Sequence, residues 1–358
     1  MISELVDATL GRIKPIGDPS LSRQVEDRWD SLTKPRGSLG KLERLYLHYA
    51  LIANRPDPAV ETKGLFIFCG DHGVVDEGVS AYPQEVTRQM VYNFLGGGAA
   101  ICVLCRHFGI EPVVVDMGVK GDEIPGAVNL KIAPGTVNFV RAPAMSRGQA
   151  IDAIEAGIEL AIEASGRFHV VGIGEMGIGN TTSAAALLSA FSGQDAIHTV
   201  GAGTGVDEGG LARKRLAVQE ALLLHHGATD PISILAAYGG FEIGAMAGFL
   251  LGAAAERLPV VVDGFISSSA ALVARAFSPD SLDVALFSHR SAERAHALML
   301  DFLGVEPQFD LDLRLGEGTG AALAINLLET SWHLYTEMAS FSSAGVTDSG
   351  ARHDTISK

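Results

Sequence analysis

Two glycine-rich stretches hold carboxylates in settings suited to chemistry: Gly174-Glu175-Met176-Gly177-Ile178-Gly179 and Leu315-Gly316-Glu317-Gly318-Thr319-Gly320. In the first, Gly172, Gly174, Gly177 and Gly179 permit sharp backbone turns, and Asn180-Thr181-Thr182 supply helix N-cap chemistry. The segment from Phe168 to Leu188 therefore reads as strand, loop and helix. N–H groups at such a helix start point outward unpaired, so the loop is a candidate anion cradle. A carboxylate repels phosphate, so Glu175 is expected to face something cationic on the same ligand. In the second stretch, Glu317 stands between two glycines just before a helix. It reads as a general base, its pKa raised by an apolar ligand or by Leu313 and Leu315, or equally as a helix-start carboxylate favoured by the dipole.

A second cradle is read in Gly201-Ala202-Gly203-Thr204-Gly205 with Lys214 on the following helix, where small backbone and one point charge suit a monophosphate. His289-Arg290-Ser291 could add donors to the same group. The spacing Gly172-x-Gly174-x-x-Gly177 also satisfies the dinucleotide fingerprint, which would imply a dehydrogenase. Asp195, near the expected acidic offset, follows Ser192-Gly193-Gln194 in a turn and does not end a strand, which argues against it. A nucleotide-sensing protein without turnover would share the cradles and need no base. No His-x-x-x-His pair supports a metal, and Ser267-Ser268-Ser269 lacks a nucleophile elbow. His72 reads as standing alone beside Asp71. Cys102 and Cys105 lie within an apolar helix, so the CxxC pattern reads as buried hydrophobes.

The elements that must position these groups alternate in type. Strands are expected at Leu65–Cys69, Pro112–Val115, Phe168–Val171, Ile197–Val200, Pro259–Val262 and Val284–Phe287. Helices are expected at Pro83–Phe94, Ala99–Phe108, Ser146–Ala164 with a Ser146/Gln149 capping box, Leu211–His225 and Ile266–Phe277. Gly240, Gly244, Gly248 and Gly252 make a smooth helix face for close packing. The fold class is α/β: a doubly wound parallel sheet flanked by helices over residues 61–320, with ligands at the strand carboxyl ends. Residues 1–60 read as helical and amphipathic, with Leu42, Leu45, Tyr46, Tyr49 and Ile52 on one face, and Ala321–Ala339 reads as helical again. Among 358 residues, 47% are hydrophobic and 42 are glycine, as layered α/β structure with many tight turns requires. A net charge of −15 argues against nucleic acid and anionic membranes as partners. With no signal-peptide pattern and no spanning segment, a cytoplasmic protein is expected.

The blocks TKPRGSLG (33–40), GDHGVVDEGVSAYPQEVTRQM (70–90), GGGAAICVL (96–104), GEMGIGNTTSAAAL (174–187), GAGTGVD (201–207), VVDGFISSSAAL (261–272) and DLDLRLGEGTGAALA (310–324) run nearly the whole chain. Together they resemble the nicotinate-nucleotide–dimethylbenzimidazole phosphoribosyltransferase family of cobalamin lower-loop assembly. The resemblance implies that nicotinate mononucleotide and 5,6-dimethylbenzimidazole give α-ribazole 5′-phosphate and nicotinate. It also implies a homodimer with neither metal nor organic cofactor, each subunit a parallel α/β domain over 61–320 with a smaller helical domain built from both chain ends, 1–60 and 321–358. Glu317 matches the family's general base. Glu175 is the candidate carboxylate for the oxocarbenium-like centre. Phosphate and ribose contacts are expected from Gly177, Asn180, Gly203, Thr204, Gly205, Lys214, Asp263 and Ser291. Aromatic-base contacts are expected from Ser80, Tyr82, Gln89, Met176 and Leu315.

Overall fold

The apolar runs form one six-stranded sheet in the computed structural model, which describes residues 3–201, 203 and 205–348. The strands are β1 Lys63–Gly70, β2 Glu111–Gly118, β3 Val128–Asn129, β4 Val170–Met176, β5 Val260–Val262 and β6 Ala285–Phe287. Their order is β3-β2-β1-β4-β5-β6, and every pairing is parallel. From β1 the chain winds outward through β2 and β3, whereas from β4 it winds the other way through β5 and β6. The topological switch point lies between β1 and β4, where the crevice beyond the strand ends is the favoured ligand position. All eight residues of β1 are buried, as expected of a strand covered on both faces.

Two expectations need correction. Ile197–Val200 is not a strand: Ala196–Thr199 is a single helical turn, with Asp195 accepting from the Ile197 N–H at 2.9 Å. Ile197 is exposed, so its β-branched side chain has no sheet face to join. The third expected strand continues past Val171 to Met176, which puts Gly172, Gly174 and Glu175 in β4 and not in a loop. β3 escaped the periodicity reading because it is two exposed residues long.

Two compact units result. One comprises residues 3–15 with Thr62–Ile325, and the other Ile16–Glu61 with residues 326–348. Residues 3–15 thus group with the sheet, whereas the helical domain expected from the resemblance takes them in. Their helix, Glu4–Arg12, buries Val6 and Thr9 and pairs Arg12 with Glu256. The smaller unit is built on Trp29, whose ring meets Tyr46 edge-on at 6.2 Å and Tyr335 at 5.1 Å. Its Lys34, in the basic loop, forms an ion pair with Glu43 at 2.8 Å. No helix among the described residues is long and apolar enough to cross a membrane.

Helix Arg147–Ser165, with the capping box in place, packs on helix Phe241–Glu256 with almost no side chain between them. A Cβ added at Gly248 would lie 2.7 Å from the Ile154 carbonyl carbon, and one at Gly157 2.7 Å from the Phe249 nitrogen. Overpacking of this kind costs about 1–3 kcal/mol. Gly248→Ala is therefore expected to lower the melting temperature measurably by calorimetry; an unchanged melting temperature would mean that the two helices part without cost.

Candidate active site

The carboxyl ends of β1, β4 and β5 bring three carboxylates together: Glu175, Asp263 and Glu317, all buried. Glu317 reaches the cluster because its turn lies directly on β4. A Cβ at Gly174 would stand 2.5 Å from Gly318 Cα and 2.6 Å from the Glu317 carbonyl carbon, so only glycine admits the turn. At Gly172 it would press on Ala321, Leu65 and Ile325. Two glycines of the apparent dinucleotide fingerprint thus seat the Glu317 turn and the helix Thr319–Glu337 that follows it. The dehydrogenase reading loses its one support.

Within the turn Glu317 has φ 62°, between Gly316 at 84° and Gly318 at 87°. The left-handed region is uncommon for a residue with a side chain. Asp263 fixes the turn, accepting from the Gly318 N–H at 3.2 Å and the Ala321 N–H at 3.0 Å. Glu317 Oε2 is buried and accepts no hydrogen bond from the described residues. Burial, followed by the charge of Asp263, raises the Glu317 pKa to about 7. Leu315 is exposed and so does not wall the carboxylate as the sequence suggested.

Glu175 accepts from the Asn180 side chain, and a Cβ at Gly316 would fall 2.5 Å from its Oε1. Burial first, then Asp263, pushes the Glu175 pKa up to about 8, against the lowering effect of Asn180. Asn180 does not cap its helix. The cap of Asn180–Ser192 is Gly179, at φ 100°, which leaves the amide free for Glu175. Asp263 is also raised by burial but lowered by His289 and by backbone N–H groups, while burial lowers His289.

A small cavity beside this cluster is lined by Val79, Ser80, Gly177, Asn180, Thr181 and Lys214, among others. Lys214 is buried, donates to Thr181 Oγ1 at 2.9 Å, and has its pKa lowered to about 8 by burial. Gly203 and Gly205 take φ of 56° and 105° in the nearby turn; Thr204 lies outside the described residues. Ser291 donates its hydroxyl to Leu313 O at 3.0 Å, holding the segment that leads into the Glu317 turn. The expected aromatic-base residues divide. Ser80 lines the small cavity, Met176 ends β4 half-buried, and Tyr82 and Leu315 are exposed. Gln89 lines a second cavity of about 300 Å³ with Asp71, Gln84, Arg88, Tyr92 and Lys120.

Several polar residues were invisible to spacing. His289 meets Asp263 because they follow the adjacent strands β6 and β5, a proximity that needs the strand order. His72 is not alone: its ring bonds Ser183 Oγ at 2.8 Å and Glu242 Oε1 at 2.6 Å, fully buried. Glu242 was hidden within the glycine helix.

A parallel sheet with ionisable groups buried at its switch point is the architecture of an α/β enzyme. The DBI_PRT family model, described as a phosphoribosyltransferase, matches residues 14–346. This chain belongs to that family and is a phosphoribosyltransferase. It is 48% identical to the nicotinate-nucleotide–dimethylbenzimidazole phosphoribosyltransferase of Geobacter metallireducens, covering 96% of this chain and 98% of the relative. For the Geobacter sulfurreducens protein of the same name, identity is 49% over 96% and 99%. The crystal structure of CobT from Thermus thermophilus superposes with a TM-score of 0.87 at 44% identity, covering 92% of this chain and 99% of that one.

The raised carboxyls make a stability forecast. A folded-state pKa above the unfolded one contributes stability below the unfolded pKa that is lost as pH rises through the folded pKa. For Glu317 that window runs from 4.5 to about 7, and for Glu175 from 4.5 to about 8. As upper scales these windows amount to roughly 3 kcal/mol for Glu317 and roughly 5 kcal/mol for Glu175. Between pH 4.5 and 8, denaturation of Glu317→Gln and Glu175→Gln should therefore show a smaller loss of stability than wild type. Parallel curves for all three proteins would contradict the buried, uncompensated state of these carboxyls.

Proposed function

We propose that the chain transfers the phosphoribosyl group of nicotinate mononucleotide to 5,6-dimethylbenzimidazole, releasing nicotinate and forming α-ribazole 5′-phosphate with inversion at C1′. The names of its relatives support the substrates. The observation that carries the mechanism is Glu317 Oε2, a buried carboxylate oxygen without a hydrogen-bond donor among the described residues, on a group whose pKa is raised to about 7. Such a group is a base matched to neutral pH. One benzimidazole nitrogen attacks C1′ while Glu317 accepts the proton from the other. The base enters opposite the departing pyridine, which converts β to α. The pyridinium nitrogen of nicotinate mononucleotide is cationic, so C–N cleavage neutralises the leaving group and positive charge passes to the ribose.

Glu175 acts on that charge. In the free enzyme burial keeps much of it protonated at pH 7. A cationic pyridinium ribosyl group nearby would favour the ionised form, so substrate itself would generate the carboxylate that stabilises the oxocarbenium-like centre. Lys214, with Gly203 and Gly205 and the outlying Thr204, holds the 5′-phosphate. Asn180 and Gly177 border the ribose from the cavity side, with Asp263 and Ser291 supporting. Ser80, Tyr82, Gln89, Met176 and Leu315 contact the aromatic base, the two exposed side chains closing on it when bound. The active form is a homodimer.

Incubation with both substrates, followed by chromatography for free nicotinate, tests the reaction directly; no nicotinate release refutes it. Lys214→Ala should raise KM for nicotinate mononucleotide about tenfold or more, as expected for loss of a charge-assisted contact, with little change in KM for the benzimidazole. Equal effects on both constants would make Lys214 a structural charge.

Glu317→Gln keeps size and loses basicity, so kcat should fall about 10²–10⁴-fold while the nucleotide still binds. The sign of the pH dependence follows: a base works ionised, so wild-type kcat/KM should fall as pH drops through about 7 and not near 4.5. Near wild-type turnover by the Gln variant would remove Glu317 from the role and leave Glu175 as the candidate.

A further inference from the structure

The Lys214 cradle already holds an anionic side chain. The Gly203 N–H donates to Glu293 Oε2 at 2.9 Å. A Cβ on Gly201 would lie 2.6 Å from Glu293 Cδ, so this carboxylate also lies close against the Gly201 backbone. Lys214 is near enough to lower the Glu293 pKa, and Glu293 to raise that of Lys214, against burial acting the other way on each. A Cβ on Gly203 would stand 2.8 Å from Lys214 Nζ, which places the ammonium at the same turn.

The position of Glu293 in its own helix sharpens the point. It is the N-cap residue of Arg294–Leu303 but makes no side-chain cap hydrogen bond. A carboxylate at a helix start is ordinarily stabilised by the N–H groups and dipole there. Here it turns away from them toward the glycine turn, anchored by its own N–H donating to Ser291 Oγ at 3.2 Å. The backbone N–H that would take a phosphate is thus the one that takes Glu293, and the lysine of the same cradle lies within electrostatic reach of it.

We propose that Glu293 is a tethered stand-in for the substrate's 5′-phosphate, occupying the Gly203 N–H beside Lys214 until a phosphorylated ligand displaces it. This inference rests on the phosphate reading of that cradle. A tethered competitor lowers apparent affinity by the fraction of time the cradle is free, and it sets a threshold that only a group with more charge than one carboxylate passes. A phosphate dianion with several acceptor oxygens passes it; a dephosphorylated nucleoside gains nothing there. Glu293 is therefore a specificity-determining residue that sets negative charge near the buried lysine in the free enzyme.

The test is calorimetric titration of inorganic phosphate into the full-length wild type, Glu293→Gln and Glu293→Ala, each also in a Lys214→Ala background. Removing the competitor should tighten phosphate binding about three- to tenfold, most in the Ala variant, and only where Lys214 is present. KM for nicotinate mononucleotide should fall in parallel. Unchanged or weaker phosphate binding in both Glu293 variants would overturn the proposal and make Glu293 a brace for the turn. A different failure has a different signature: if phosphate binding ignores Lys214→Ala in wild type, the phosphate reading of the cradle is itself wrong, and the stand-in falls with it.

Discussion

The contact on which the site depends is between two pieces of backbone, the end of strand β4 and the turn that carries Glu317. They approach so closely that Gly174 tolerates no Cβ, and Gly318 lies against Leu65 of β1. Main-chain contact of this kind leaves no rotamer to adjust. It fixes where helix Thr319–Glu337 begins, which N–H groups reach Asp263, and where the Glu317 carboxylate points. Everything polar in the site is referenced to that seat, including Glu175, which shares strand β4 with the glycines and touches the turn at Gly316.

Gathering three carboxylates at one seat is unfavourable, and the surroundings show how it is tolerated. Asp263 is the member best satisfied by donors, through the Gly318 and Ala321 N–H groups. Burial raises all three, Asp263 against the pull of those donors and of His289, Glu317 to about 7 and Glu175 to about 8. Carboxyls moved toward neutral pH in this way are suited to acid, base and electrostatic roles. The cationic counterpart, Lys214, is buried too, so the site holds its charges with little water to screen them.

Most of the sheet was legible because buried parallel strands are short apolar runs that end in glycine and an acid, as at Cys69-Gly70-Asp71 and Val262-Asp263-Gly264. The glycine helix was legible as a packing face for the same physical reason, since a repeat of small residues at one helical face has few other uses. What failed was local and had local causes. The Asp195 cap overrode the β propensity of Ile197 and Val200, and a two-residue strand carries no period. Glycines read as loop residues were strand residues, because a sequence does not say whether a missing side chain serves a bend or a neighbour. Carboxylates between glycines stood out as candidate chemistry. Their partners did not: Asp263 with His289, Lys214 with Thr181, and His72 with Ser183 and Glu242 are joined by strand order and helix packing, which no spacing along the chain reports.

The left-handed backbone of Glu317 bears on how this enzyme can be altered. Glycine at that position would relieve the torsional strain, remove an unsatisfied buried oxygen and subtract a charge from a crowded cluster, each a gain for the folded state. A directed-evolution screen that scores heat resistance alone will therefore reward the loss of the side chain, and under the proposed base role the hardened variants will no longer turn over. Under that role natural descent works with the opposite filter, and an acid in so uncomfortable a torsion is the trace of selection for turnover at the expense of robustness.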